Sequence, residues 1–197
     1  NKEYVLEQDF TWGVLAINTE KSIYLPNEKS FISIGVLNDY GITICDADLV
    51  LKITNPNNSS TTLTTSNDDI KKNEECTSKG YTLIPDYYTN YDVDTSGIYN
   101  IELTATTQNG VYTITDSFIV QDSIDFEVAR RGPTRINPDF NYIMNITIKA
   151  NKNFNGQIKE YIPSSFNITN QEGLEVTTIK DVKILTWNKK FDLGNTY

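Results

Sequence analysis

The chain has 197 residues, 17 Lys and Arg against 26 Asp and Glu, a formal charge of −9 and a pI near 4.5. It holds no histidine and only two cysteines, which excludes Ser-His-Asp and Cys-His catalysis, His-ligated zinc and four-thiolate metal sites. The acidic balance argues against nucleic acid, and no run approaches the roughly 18–20 apolar residues of a membrane-spanning helix.

Twelve Tyr and eight Phe accompany abundant Ile, Val and Thr, a composition that favours strands over helices. In chain order, Ile32, Ile34 and Val36 alternate with Ser33 and Gly35, and Leu49, Leu51 and Ile53 share one face of the next strand. The polar stretch 55–73 reads as a long surface excursion with a short strand at Thr61–Thr65. Tyr99, Ile101, Leu103 and Ala105 alternate with polar residues, and Asn109-Gly110 predicts a hairpin turn into Val111–Val120. Ile124–Val128 opens a second set, and Pro133 and Pro138 bar the segment after it from a central strand. A long strand carries Tyr142, Met144, Ile146 and Ile148 on one face. Asn155-Gly156 predicts a turn into Gln157–Ile162, and Leu174–Ile179 and Val182–Trp187 complete the set. Leu193–Tyr197 reads as a turn leading into a strand that these residues do not contain. That strand belongs either to a longer chain or to a partner that adds it by β-strand addition. Short strands with no helix between them predict an all-β fold of two tandem immunoglobulin-like β-sandwich domains. Their boundary falls near 120–123, giving residues 1–121 and a second sandwich, 122–197, short of its last strand.

Two resemblances accompany this reading. The run Lys21-Ser22-Ile23-Tyr24-Leu25-Pro26-Asn27-Glu28, with Asp39-Tyr40-Gly41 and Asp94-Thr95-Ser96-Gly97-Ile98-Tyr99, resembles the macroglobulin-type immunoglobulin-like domains of surface and secreted proteins. Asn27 stands where that family usually has glycine, and the family's thioester segment is missing, so covalent trapping is not implied. The segments Gly156–Pro163, Ile184–Trp187 and Asp192–Thr196 are similar to repeat domains of bacterial and archaeal cell-surface proteins. The resemblances imply an extracellular, cell-surface location.

Several residues are candidates for chemistry. Cys45 and Cys76 are expected to form a disulfide in an oxidising compartment, the alternative being two free thiols. Sequons at Asn57, Asn58, Asn145 and Asn167 are candidate glycosylation sites. Asp92-Val93-Asp94-Thr95-Ser96-Gly97 spaces carboxylates as a calcium loop does, but Leu103 occupies the position of the bidentate Glu, so a structural turn is favoured and no metal is assigned. Glu160 shares strand parity with Ile158 and Ile162 and calls for a partner among Arg130, Arg131 and Arg135, the chain's only arginines. Tyr81, Tyr87, Tyr88 and Tyr91 are expected to cluster in a loop, as a glycan or protein contact or as a cover over the end of the sandwich. No motif requires a cofactor. The expected function is a noncatalytic spacer or assembly unit of a stalk, sheath or filament, partnered by other surface proteins or by copies of itself. An adhesin or carbohydrate-binding module is the alternative.

Overall fold

Alternation of apolar and polar residues becomes alternation of buried and exposed side chains along the strands at 29–36, 48–54, 97–107 and 110–120. The structure, a computed structural model, describes residues 14–76, 84–132, 141–169 and 173–197. The described residues contain strands and turns and no helix, so the fold is all-β. The chain divides into two compact units, Asn1–Thr147 and Ile148–Tyr197.

In the first unit β1 (Leu15–Thr19), β2 (Ile23–Tyr24), β3 (Lys29–Val36) and β4 (Asp48–Thr54) are followed by β5 (Ser60–Thr64), β6 (Lys71–Lys72) and β7 (Tyr87–Asp92). A long hairpin of β8 (Gly97–Thr107) and β9 (Gly110–Val120) comes next, then β10 (Phe126–Arg131), while β11 (Asn145–Ala150) runs across the division at 147/148. A four-stranded sheet, β1-β3-β7-β6, and a five-stranded sheet, β2-β9-β8-β4-β5, enclose one core. All of these pairings are antiparallel except the two-residue contact of β2 with β9. Ile17, Ile32 and Ile34 from the first sheet meet Leu49, Leu51, Ile53, Tyr99, Ile101, Leu103 and Phe118 from the second. Burying each such side chain stabilises the unit by about 1.5–3 kcal/mol. The rings of Tyr99 and Phe118 stack at 5.0 Å, and Tyr24 meets Phe118 edge-on at 5.1 Å.

The units divide at 147/148, whereas the sequence placed a junction near 120–123. The reason is that β10 is tied to the first unit. Arg130 donates its backbone N–H to Glu20 O at 2.9 Å, the Arg131 guanidinium grips the Glu20 carboxylate, and Lys21 lies 3.4 Å from Glu127.

In the second unit β12 (Phe154–Pro163), β13 (Glu175–Ile179) and β14 (Val182–Phe191) form a three-stranded antiparallel sheet with β14 in the middle. Its small core gathers Ile148, Ala150, Ile162, Leu185 and Phe191. The tail was expected to be a turn before a missing strand. The turn at Leu193-Gly194 forms, and Asn195–Tyr197 then pair with β11, through Ala150 N–H to Asn195 O at 2.9 Å and Ile148 N–H to Tyr197 O at 3.0 Å.

Two turns differ from expectation. Thr107 pairs with Gly110, so the central residues of the β8–β9 hairpin are Gln108 and Asn109, one place earlier than predicted. Asn155-Gly156 lies within β12 rather than in a turn, opposite Lys190 and Lys189. Glycine is needed there because the Phe154 ring crosses it: a Cβ would sit 2.5 Å from that ring. Within the stretch 55–73 the expected short strand forms as β5, and β6 is a second strand that was not expected.

Candidate functional site

The disulfide gathers more of the nominated chemistry than any other feature. Cys45 and Cys76 are bonded, with Cα atoms 5.5 Å apart and positions 31 apart in sequence. Cys45 precedes β4, and Cys76 is buried in the turn that follows β6. The bridge therefore staples the two loops at one end of the first unit. Behind it Asp86 is fully buried and accepts the Val36 N–H at 3.2 Å. The Tyr87 hydroxyl donates to Ile44 O at 2.9 Å and accepts the Ala47 N–H at 3.0 Å.

The loop beyond Val36 is a compact turn built on Asn38. Its side-chain oxygen accepts the N–H groups of Tyr40 and Ile42 at 2.9 and 3.0 Å, and its carbonyl accepts the Gly41 N–H at 2.9 Å. Gly41 takes the left-handed φ of 76° that the turn requires. The apex so held is apolar and in water: Tyr40 is 89% exposed and Ile42 46%. Asp39, Asp46, Asp48, Glu74 and Glu75 are exposed on the same stapled loops.

The nominated tyrosines do not form a loop platform. Tyr87, Tyr88 and Tyr91 belong to β7, which pairs with β3, and Tyr81 lies outside the described residues. Tyr87 is only 1% exposed. Tyr88 stacks on Phe31 at 5.9 Å, and Tyr91 meets Tyr99 edge-on at 6.1 Å. The reason is that β7 alternates inward Tyr87 and Thr89 with outward residues, and Thr89 satisfies its buried hydroxyl on Asp69 O at 2.8 Å.

Tyrosine hydroxyls recur instead as latches on turns. Tyr24 accepts the Lys21 N–H at 3.0 Å, Tyr99 accepts the Thr95 N–H at 3.1 Å, and Tyr197 accepts the Asp192 N–H at 2.8 Å. Each reaches backbone three to five residues upstream. Burial pushes the Tyr24 and Tyr87 phenols up to about 12, since the charged form would lose its water.

The calcium-like segment is used by the same device. Asp94 accepts the Tyr99 hydroxyl at 2.9 Å, which holds its carboxyl below the usual range, and Asp92 pairs with Lys29 at 3.6 Å. Among the described residues no three carboxylates or cysteines gather as metal ligands would.

Arg131 finds a partner the sequence did not nominate: its Nε and terminal nitrogen contact the two Glu20 oxygens at 2.8 and 3.1 Å. That bidentate grip raises the guanidinium pKa further. Glu160 lies on β12 opposite Leu185, and Arg135 lies outside the described residues. All four sequon residues, Asn57, Asn58, Asn145 and Asn167, are exposed.

Sequence reasoning missed Asp86 as a buried acceptor and, although the resemblance marked a turn at Asp39-Tyr40-Gly41, Asn38 as its anchor. The pattern Asn38-Asp39-Tyr40-Gly41 did carry a signal for the second, since Asn at the start of a turn and Gly within it are its usual chemistry. Nothing local marks Asp86, whose partner lies 50 residues away. No protein-family model matches the chain, and no curated protein sequence matches it.

Proposed function

We propose that the chain is a noncatalytic structural module of an extracellular cell surface, a spacer or assembly unit built from immunoglobulin-like sandwiches. The Cys45–Cys76 disulfide carries this reading. Such bonds persist in oxidising compartments and are rare where glutathione keeps thiols reduced. No helix among the described residues is long and apolar enough to cross a membrane, which is compatible with that location.

Support for a structural rather than catalytic role comes from what the polar side chains do. Asp86, Tyr87, Asp94, Tyr99 and Arg131 each hold backbone or a neighbouring side chain in place. Neighbours in such an assembly are other surface proteins or further copies, joined along free strand edges. The β13 strand has such an edge: among the described residues it pairs on one side only, and all five of its residues are exposed.

The test is made on intact source cells. A membrane-impermeant protease is expected to remove the protein, and alkylation without prior reduction is expected to leave Cys45 and Cys76 unmodified. Protection from protease together with two reactive thiols would place the protein inside the cell and end the reading.

A further inference from the structure

Three asparagines precede glycine or serine: Asn58, Asn109 and Asn155. A small following residue matters chemically, because its backbone nitrogen can attack the asparagine side-chain amide only where no bulky side chain blocks the approach. The attack also takes the asparagine out of regular backbone geometry, since that nitrogen must swing onto the side chain. Local opening therefore decides which of the three reacts.

Two of them are held. Ser59 donates its N–H to the Asn55 side-chain oxygen at 2.9 Å, and Asn58 donates its own to the Asn55 carbonyl at 3.0 Å, so the nitrogen that would attack is engaged in the turn. Asn155 stands in β12 opposite Lys190, and Gly156 opposite Lys189. The Phe154 ring lies across Gly156 and meets Phe191 at 6.3 Å. Turning the Gly156 nitrogen toward Asn155 would lift that ring away and break the strand pairing.

Asn109 is held least. It is exposed at the tip of the β8–β9 hairpin, where Gly110 pairs with Thr107 at the end of the ladder. The side-chain hydrogen bonds around it lie in solvent. Its N–H goes to Thr107 Oγ1 at 3.1 Å, its carbonyl accepts the Tyr112 hydroxyl at 3.3 Å, and Gly110 O accepts the Thr107 hydroxyl at 3.3 Å. A Cβ on Gly110 would meet nothing closer than the Tyr112 hydroxyl at 3.8 Å, so the approach to its nitrogen is open. Opening the tip costs the Thr107–Gly110 pair and these exposed bonds, and it leaves Ala105 and Leu103 in the core.

We propose that Asn109 is a site of spontaneous deamidation in the folded chain, a covalent mark of age written at one hairpin tip. The Gly110 backbone nitrogen gives its proton to solvent base and bonds to Asn109 Cγ. The Cγ–Nδ2 bond breaks, and Nδ2 takes up a proton and leaves as ammonia. Water then opens the five-membered succinimide ring. Attack at Cγ yields an aspartyl residue, and attack at the main-chain carbonyl yields an isoaspartyl linkage. The sum is amide plus water to carboxylate plus ammonia, with nothing oxidised or reduced. Each event makes the chain one charge more negative than its −9. The isoaspartyl form also puts an extra carbon into the backbone of a two-residue turn, which unpairs Thr107 from Gly110 while the rest of the ladder stands. Aged molecules therefore stay folded and differ from new ones at this tip.

Peptide mapping by mass spectrometry tests this on the intact chain, incubated folded in buffer and, in parallel, reduced and unfolded in urea. The gain of one mass unit is followed at each asparagine, and the doubled elution peak of aspartyl and isoaspartyl peptides identifies the succinimide route. Protection is the ratio of the unfolded rate to the folded rate. It is expected to be at least about tenfold greater at Asn155 and at Asn58 than at Asn109, because only the hairpin tip opens without disturbing packing or a fixed turn. The folded rate at Asn109 is expected to rise with pH, since the attacking nitrogen must lose its proton. Equal protection at Asn109 and Asn155, or greater protection at Asn109, overturns the proposal. Asn109→Gln changes one exposed side chain and is expected to abolish most of the acidic species that accumulate on isoelectric focusing of the folded chain. Acidic species that grow at the wild-type rate in that variant overturn it as well.

Discussion

Asn27 occupies the third position of the turn Leu25–Glu28 with a φ of 68°. Pro26 before it supplies the fixed φ of the second position, and Glu28 N–H reaches Leu25 O at 3.3 Å. The Glu28 carboxylate then accepts the Leu25 N–H at 2.9 Å and pairs with Lys21 at 2.8 Å. Asparagine tolerates the left-handed region far better than a β-branched residue does. Asn27→Gly is therefore expected to leave stability within about 0.5 kcal/mol, and Asn27→Val to cost about 1–2 kcal/mol, both read from urea midpoints. The sequence flagged this position as one where glycine is usual, and its backbone conformation is the physical content of that flag. Gly97 is a second such place. At a φ of 136° it lies so close to Pro56 that a Cβ would stand 2.6 Å from the ring. Its glycine was visible in the sequence, but Pro56, 41 positions earlier, was not visible as the cause.

At the level of elements, tyrosine hydroxyls join strand to loop. Tyr87 ties β7 to the segment between β3 and β4, and Tyr24 closes the turn before β2. Their phenols titrate near 12 in the folded chain and near 10 when unfolded. The folded state thus holds its protons where the unfolded state has released them. Their contribution is complete below about pH 10 and falls by about 1.4 kcal/mol per pH unit for each tyrosine up to about pH 12. Unfolding is expected to accelerate across that window. Tyr87→Phe should remove one of the two pH-dependent contributions while lowering neutral-pH stability by about 1–2 kcal/mol, because Ile44 O and Ala47 N–H lose their partner. Urea unfolding at stepped pH, followed by tyrosinate absorbance, checks both. Most strands were legible because period-two alternation survives in β3, β4, β8 and β9. The β7 strand was not, since Tyr, Thr and Asn read as polar until Asp69 O is present to satisfy Thr89. The Asn155-Gly156 pair misled for a related reason. Glycine there answers to a ring two residues away and not to a turn.

For the molecule as a whole, the counts of charge were available from the start, but their meaning depended on where the chain divides. The single figure of −9 conceals a division at 147/148, across which one unit carries about −11 and the other about +2. The cysteines were the reverse case: their pairing was expected from compartment and count, and the bond is present. Closing a loop of this size is worth on the order of 3–4 kcal/mol in the chain-entropy model. Replacing both cysteines by serine is therefore expected to lower the free energy of unfolding, read from urea unfolding, by that amount, with the strands of the second unit unaffected.

The same bond has a mechanical meaning. In a chain pulled from its two ends, the 31-residue span closed by Cys45–Cys76 bears no load and cannot lengthen. Reduction would release slack on the order of 100 Å of extended backbone. In single-molecule stretching, the first unit should therefore yield in a short step when oxidised and in one longer by that slack when reduced. The redox state of its surroundings thus sets how far the molecule extends before it goes taut.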